Sequence, residues 1–500
     1  MELRHTQRWR TIIVVYSLFL LGFGAGAATP VSAQPVAVDL RLTAQNFNIS
    51  QSSSLRLVVR IDNDLVRTAV IGDRSSLFRI SAGRQVTTRL DVTDIGNGST
   101  LVKQVAHLDI PVSRTPQSAG GNFTLIVPTT TSVRRDALSI GPSGIFPITV
   151  QIILNKDLVG QLTTFINVFD PGVPYPKMPV SIAVSVTSPP TLQPNGRTVV
   201  SDGSRTQLKR LADLLEVNAA PFSVQVQPEL LDGLARSNAT GDGDLLARLR
   251  RRFQFHNLLS TTYVSFDPSS AQRGSMTSEF VDQLRRGEDI IDINNGDAVP
   301  SRTTWLSRTT VDADGASLLR DFGVHSLVLL PQAAAPLGTL DNYARAYRIV
   351  SPSQGTSNAV ALFISDPTYA QELSGTHENP VLDAYRIAAE LLAERTEIIR
   401  ANGDPTTRLT VLSTNTGDVQ DPTIMGRLAI ALDHAPQLVL QALSDARAIG
   451  DDATSIDLPR TTRVDVVATR DALATLLNEI RSTSTMLSAE SPQPAAWSLL

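Results

Sequence analysis

The chain has 500 residues, 18% charged and 5% aromatic, with no cysteine and a formal charge of −4. That length leaves room for about two to four domains with cores of their own, and 30 glycines and 29 prolines disfavour collagen-like, coiled-coil and highly charged disordered chains. The near-neutral balance gives no reason to expect nucleic acid as a partner, and the lack of cysteine excludes thiol catalysis and thiolate metal sites.

Arg4, Arg8 and Arg10 precede an apolar run, Ile12 to Phe23, and small residues ending Val31-Ser32-Ala33. This order is that of a secretory signal peptide over residues 1–33, and the apolar run is short for a membrane span of about 20 residues. Cleavage after Ala33 leaves a mature charge of −6. Export to an extracytoplasmic or cell-envelope location is therefore expected, with an uncleaved anchor as the alternative.

From residue 37 to 170 the pattern has a period of two. Leu55, Leu57, Val59 and Ile61 alternate with Arg56 and Arg60; Val86, Thr88, Leu90 and Val92 repeat the arrangement, as do Ile148, Val150, Ile152 and Leu154. These runs predict an all-β, immunoglobulin-like sandwich without helices. Residues 171–179, with four prolines, read as a stiff linker.

Beyond it strands alternate with helices over 180–450, which predicts an α/β domain with a mostly parallel sheet, barrel-like in form. Strand Val180–Val186 is followed by a helix carrying Leu208, Leu211 and Leu215, with Ser204 and Gln207 as its capping box. Phe222–Val226 and Leu258–Phe266 read as strands. Helix Thr277–Arg286 is expected to stop at Gly287, before a short strand Ile290–Ile293. Tyr347–Val350 and Ala359–Ile364 form an inserted hairpin, and Asp421-Pro422 caps a late helix. Residues 451–500 add a strand, Val464–Val467, a helix and a polar tail.

Several of these pieces share an order. Gly144-Ile145-Phe146-Pro147, the strand Pro179–Val186, Gln227-Pro228-Glu229-Leu230-Leu231-Asp232, the run Leu318–Pro331 and Ala388-Ala389-Glu390-Leu391-Leu392-Ala393-Glu394 occur in that sequence. In this the chain resembles an uncharacterised actinobacterial family of secreted or membrane-anchored envelope proteins, often encoded beside the peptidoglycan lipid-precursor flippase. The resemblance implies a central region similar to polysaccharide deacetylase and glycoside hydrolase barrels, and it brings no catalytic residues. Members usually continue into a second β domain and a C-terminal transmembrane helix, so a chain ending at Leu500 is expected to be either truncated or freely secreted.

Sites in parallel α/β structures gather at the carboxyl ends of strands. That rule nominates Asp267, Glu229 and Asp312 as catalytic carboxylates, with Trp305 and Tyr263 as surfaces on which a sugar could stack and His377 as a further binding residue. Asn294 and Asp297 sit at the end of the expected strand before them. Each acid also has a plain reading as a helix cap or turn residue, and Trp305 as core. None of the six histidines is paired as His-x-x-x-His, and a P-loop, a dinucleotide fingerprint and a serine elbow are missing, so neither metal nor cofactor is expected. Arg248 to Arg252, beside Phe253 and Phe255, reads as a solvated helix face. The function expected is a non-catalytic binding or assembly factor of the envelope, taking a cell-wall glycan or an envelope protein as partner. The alternative is a carbohydrate-active hydrolase or deacetylase.

Overall fold

A computed structural model describes residues 39–51, 53–118, 120–193, 195–217, 221–295, 299–349, 360–446, 454–459 and 466–487. The expected signal peptide, Asp297 and the polar tail beyond residue 487 lie outside these.

Alternation builds the first half. Strands β1 (Leu40–Gln45), β2 (Asn48–Ser50) and β3 (Ser54–Ile61) are followed by helix α1 (Asp64–Gly72), β4 (Leu77–Gly83), helix α2 (Arg89–Gly96) and β5 (Gln104–Pro111). Then come β6 (Asn122–Thr130), β7 (Leu138–Ser139), β8 (Gly144–Leu154) and β9 (Asp157–Phe169). One sheet has the order β1-β3-β6-β7, the other β2-β9-β8-β4-β5. In β3, Leu55, Leu57, Val59 and Ile61 are wholly buried while Arg56 and Arg60 face solvent, as period two demands. Phe78 of β4 meets Phe123 of β6 edge to face at 5.3 Å, so side chains of the two sheets share one core.

The sandwich expectation needs correction on two counts. Helices occur here, and β2 runs parallel to β9 and β6 parallel to β7, so the immunoglobulin-like, purely antiparallel pattern is not what forms. Val86, Thr88, Leu90 and Val92 do not make a strand. Val86 forms a single bridge to Ile145, and the Thr88 side chain then accepts the Asp91 N–H and starts α2. A capping residue outweighs a two-residue pattern over so short a window.

The second half comprises β10 (Met178–Val186), α3 (Asp202–Leu215), β11 (Ser223–Val226), α4 (Pro228–Arg236), α5 (Asp242–Phe253), β12 (Asn257–Leu258), α6 (Pro268–Arg273), α7 (Thr277–Asn295), β13 (Thr304–Ser307) and α8 (Ala313–Asp321). It continues with β14 (Ser326–Leu329), α9 (Pro331–Ala334), β15 (Tyr347–Ile349), β16 (Val360–Ile364), α10 (Pro367–Ser374) and α11 (Pro380–Arg400). Last are β17 (Thr410–Leu412), α12 (Pro422–Asp433), β18 (Leu438–Leu440), β19 (Thr454–Ile456) and α13 (Val466–Ser484). Strands β12-β11-β10-β17 form one sheet, with β18 also on β10, and β13-β14-β16-β15-β19 form another. The parallel bridge Leu259–Ser301 joins their edges, and the sheet curls into a half-barrel.

Taken together the sheets are mixed rather than mostly parallel. Within this half β15 pairs antiparallel with β16, because the segment between them is too short for the crossover that a parallel pair requires. Helix α7 runs unbroken through Gly287, so neither the expected stop nor the strand Ile290–Ile293 exists. A Cβ at Gly287 would lie 2.2 Å from the Thr261 carbonyl oxygen; the glycine serves close approach of helix to loop. The expected strand Leu258–Phe266 is only two residues of β12 followed by a loop. Ser201, not Ser204, caps α3, and Val466 and Val467 are helical rather than a strand. Arg248 is engaged by Glu216 at 2.7 Å and Asp213 at 2.6 Å; Phe253 is buried, but Phe255 is 61% exposed.

Helix α11 ties the two halves together. Ala384, Ile387, Ala388 and Leu391 are buried, the Tyr385 ring stacks on Phe47 at 5.7 Å, and its hydroxyl donates to the Gln45 carbonyl at 3.0 Å. One hydrophobic cluster runs from Leu40 to Leu438, and another gathers around Phe280 and Trp305 under β13 and β14. Among the described residues no helix is long and apolar enough to cross a membrane.

Candidate functional site

At the carboxyl ends of β10, β11, β12 and β13 the loops enclose a cavity of about 190 Å³. Its lining includes Thr187 after β10, Gln225 and Gln227 of and after β11, the 261–268 loop, and Trp305 to Thr309 of and after β13. The Gln225 carboxamide is fixed, accepting from the Ser185 hydroxyl at 3.0 Å and donating to the Leu306 carbonyl at 2.9 Å. Gln227 Oε1 accepts the Ser188 N–H at 3.1 Å. Arg308 donates to the Ser185 carbonyl at 3.3 Å and to Asp418 at 3.0 Å. The wall thus combines neutral amides and hydroxyls with the apolar Phe266, Pro268, Trp305 and Leu306, the Asp267 carboxylate and one guanidinium already paired with Asp418.

Of the three nominated acids, only Asp267 lines this cavity. It is the N-cap of α6: Oδ2 accepts the Ser270 N–H at 2.8 Å, whereas Oδ1 is buried and finds no hydrogen-bond partner among the described residues. Glu229 is buried in the first turn of α4, and its Oε1 accepts from the Thr191 N–H at 2.8 Å, the Thr191 hydroxyl at 2.6 Å and the Leu192 N–H at 3.1 Å. It pins the loop after β10 rather than capping its own helix. Asp312 is the N-cap of α8, accepting the Gly315 N–H at 3.0 Å and pairing with Arg273 at 3.3 Å. The structure does not bring Glu229 or Asp312 to the cavity wall beside Asp267.

Trp305 combines both readings made of it: it is 5% exposed and packs on Phe280 at 5.9 Å, yet part of it lines the cavity. Tyr263 does not line it. Its hydroxyl donates to Asp232 at 2.7 Å, Arg286 lies 3.7 Å over its ring, and burial pushes its phenol up to about 12. Asn294 is helical and accepts from Arg250 at 3.1 Å. His377 lies in the loop before α11, its Nδ1 2.9 Å from Asp383 Oδ2. Sequence reasoning missed Gln225, Gln227 and Arg308, although the strand-end rule that nominated Asp267 reaches all three.

His377 instead borders a buried charged cluster between α2 and helices α10 and α11. Arg89 donates to Asp366 at 2.6 Å, lies 3.8 Å over the wholly buried Tyr369 ring, and sits 3.8 Å from Glu390. The Thr93 hydroxyl donates to Glu390 Oε1 and the Tyr369 hydroxyl to Glu394 Oε2, both at 3.1 Å. Arg386 lies 4.0 Å from Glu372 and 3.6 Å from Asp383. Burial raises the Glu394 carboxyl to about 7, and burial together with Glu372 raises that of Glu390. Among the described residues no group of three or more potential metal ligands forms.

No family model and no curated protein matches the chain. Among solved structures, 4-alpha-glucanotransferase from Thermococcus litoralis overlaps 64% of this chain and 48% of its own at 10% identity and a TM-score of 0.42. The chain thus spans about half the length of that protein. The alpha-amylase AmyC from Thermotoga maritima overlaps 63% of this chain and 83% of its own at 10% identity and the same TM-score. These neighbours are glycosidase-like enzymes, and at this overlap the likeness assigns no activity to this chain.

Proposed function

We propose that this chain is an exported cell-envelope protein, a non-catalytic binding or assembly factor whose rim cavity takes one sugar-sized unit of a cell-wall glycan. The observation that carries this reading is the cavity wall itself: neutral amides and hydroxyls beside Phe266 and Trp305, with Arg308 paired to Asp418 and Asp267 as the one carboxylate among the described residues that line it. Polyols are held by such fixed donors and acceptors beside an aromatic face. Glycoside cleavage by the usual route needs two carboxyl groups about 5 to 9.5 Å apart across the bond. The volume lies below the roughly 300–1,000 Å³ of drug-sized ligand sites, which suits one ring of a polymer. Export rests on the signal-peptide pattern of residues 1–33, and the envelope setting on the family resemblance.

A second reading is a carbohydrate-active enzyme, hydrolase or deacetylase-like, working through Asp267. It is favoured by the buried Oδ1 of Asp267, which finds no partner at the cavity wall among the described residues. Co-sedimentation of the purified chain with insoluble peptidoglycan, with assay of released reducing ends and of released acetate, separates the two. The binding reading expects saturable binding, weakened by Gln227→Ala, and no release. Release by wild type but not by Asp267→Asn establishes the enzyme reading, and neither binding nor release overturns both.

A further inference from the structure

A second cavity, of about 160 Å³, lies where β8, β9 and the loop before β10 meet α11 and the residue preceding β18. Arg395 of α11 is 7% exposed and lines it. Its Nε donates to the Pro176 carbonyl at 3.0 Å, and among the described residues no carboxylate forms an ion pair with it. Even half-buried arginines elsewhere in the molecule are paired. Arg89 has Asp366, Arg205 has Asp242 and Arg308 has Asp418. Burial pushes the Arg395 guanidinium below its ordinary value, yet the group stays charged at any physiological pH. A buried charge without a counter-ion is costly, so such positions are normally paired.

The rest of the wall mixes hydrogen-bonding side chains with Val86, Ile145 and Leu392, and among the described residues it contains no acid. Asn167 and Gln437 hold each other's carboxamides, at 2.9 and 3.3 Å, which fixes both. The Tyr175 hydroxyl accepts the Asp170 N–H at 3.0 Å, leaving its own hydrogen for an acceptor. Gln85 reaches the cavity across Gly144, where φ is +125° and a Cβ would come within 2.2 Å of Gln85 Nε2. Only glycine admits that side chain.

We infer that this cavity binds a small oxyanion, the carboxylate or phosphate group of a compact ligand, against the Arg395 guanidinium. The planar fork of arginine matches either group with two parallel N–H donors. The volume admits a small acid and not a nucleotide, and the site is independent of the glycan reading of the rim.

The test is thermal unfolding of the purified chain titrated with sodium phosphate or sodium acetate against sodium chloride at constant ionic strength. Saturable stabilisation by at least one of the two oxyanions is expected, and the stronger one identifies the headgroup class. Arg395→Lys should weaken the apparent affinity about tenfold or more, since it removes the fork. Because that variant could fold poorly, Gln85→Glu provides the second arm: a carboxylate on the wall of so small a cavity opposes a second anion there and abolishes the response to oxyanion. No saturable effect of either anion on wild type, or an undiminished response in Gln85→Glu, would overturn the assignment.

Discussion

The rim cavity and the α2–α11 contact handle their acids in opposite ways. At the rim, Asp267 and Asp312 cap helices and Glu229 clamps a loop through three short hydrogen bonds, so the acids there are working parts of the backbone. Under α2 the carboxyls of Glu372, Glu390 and Glu394 crowd around Arg89 and Arg386, and burial raises all three. Strongly perturbed groups are candidates for function, yet here they mark the contact between halves rather than the cavity. Position at a strand end and electrostatic strain are separate signals, and in this molecule they point to different places.

The comparison can be attacked at four points. Arg89→Ala removes the cation facing buried Asp366 and Glu390, and should cost about 3–5 kcal/mol in urea unfolding while folded protein still binds glycan. Glu229→Ala should cost roughly 2 kcal/mol by freeing the Thr191 loop; lost glycan binding at unchanged stability would instead make Glu229 part of the site.

Third, a carboxyl raised by folding holds a proton that the unfolded chain has released. The penalty is therefore absent below the ordinary carboxylate range and grows as pH rises towards about 7, where Glu394 titrates. Glu390→Gln should accordingly stabilise by roughly 1–2 kcal/mol at pH 8 and by almost nothing at pH 4, as unfolding midpoints at the two pH values would show. A pH-independent effect would place the Glu390 carboxyl in an ordinary environment. Smallest is Asp267→Asn, for asparagine caps as well as aspartate: stability should change by less than about 0.5 kcal/mol, and a larger loss would give the second carboxylate oxygen a structural role.

Much of the strand and cap grammar was legible. The alternation of β3, the Asp421-Pro422 start of α12, the Asp312 start of α8 and the β15–β16 hairpin all read directly, because each depends on residues adjacent in sequence. What failed depended on distant neighbours. Gly287 looks like a stop until the Thr261 carbonyl is set against it, and residues 86–92 look like a strand until the Thr88 cap is weighed. For the site, the strand-end rule found Asp267 and Trp305 but could not tell which acids were already bonded. Arg395, between Glu394 and Glu397, looks in sequence like a member of an ordinary charged helix face, and only its burial against the Pro176 carbonyl sets it apart.

The most direct test of the account is hydrogen–deuterium exchange of the purified chain with and without soluble peptidoglycan fragments. Protection confined to residues 187, 225–227, 261–268 and 305–309, where the cavity wall lies, is the predicted result. Protection elsewhere, or none at saturating fragment, would contradict the placement of the glycan at the rim.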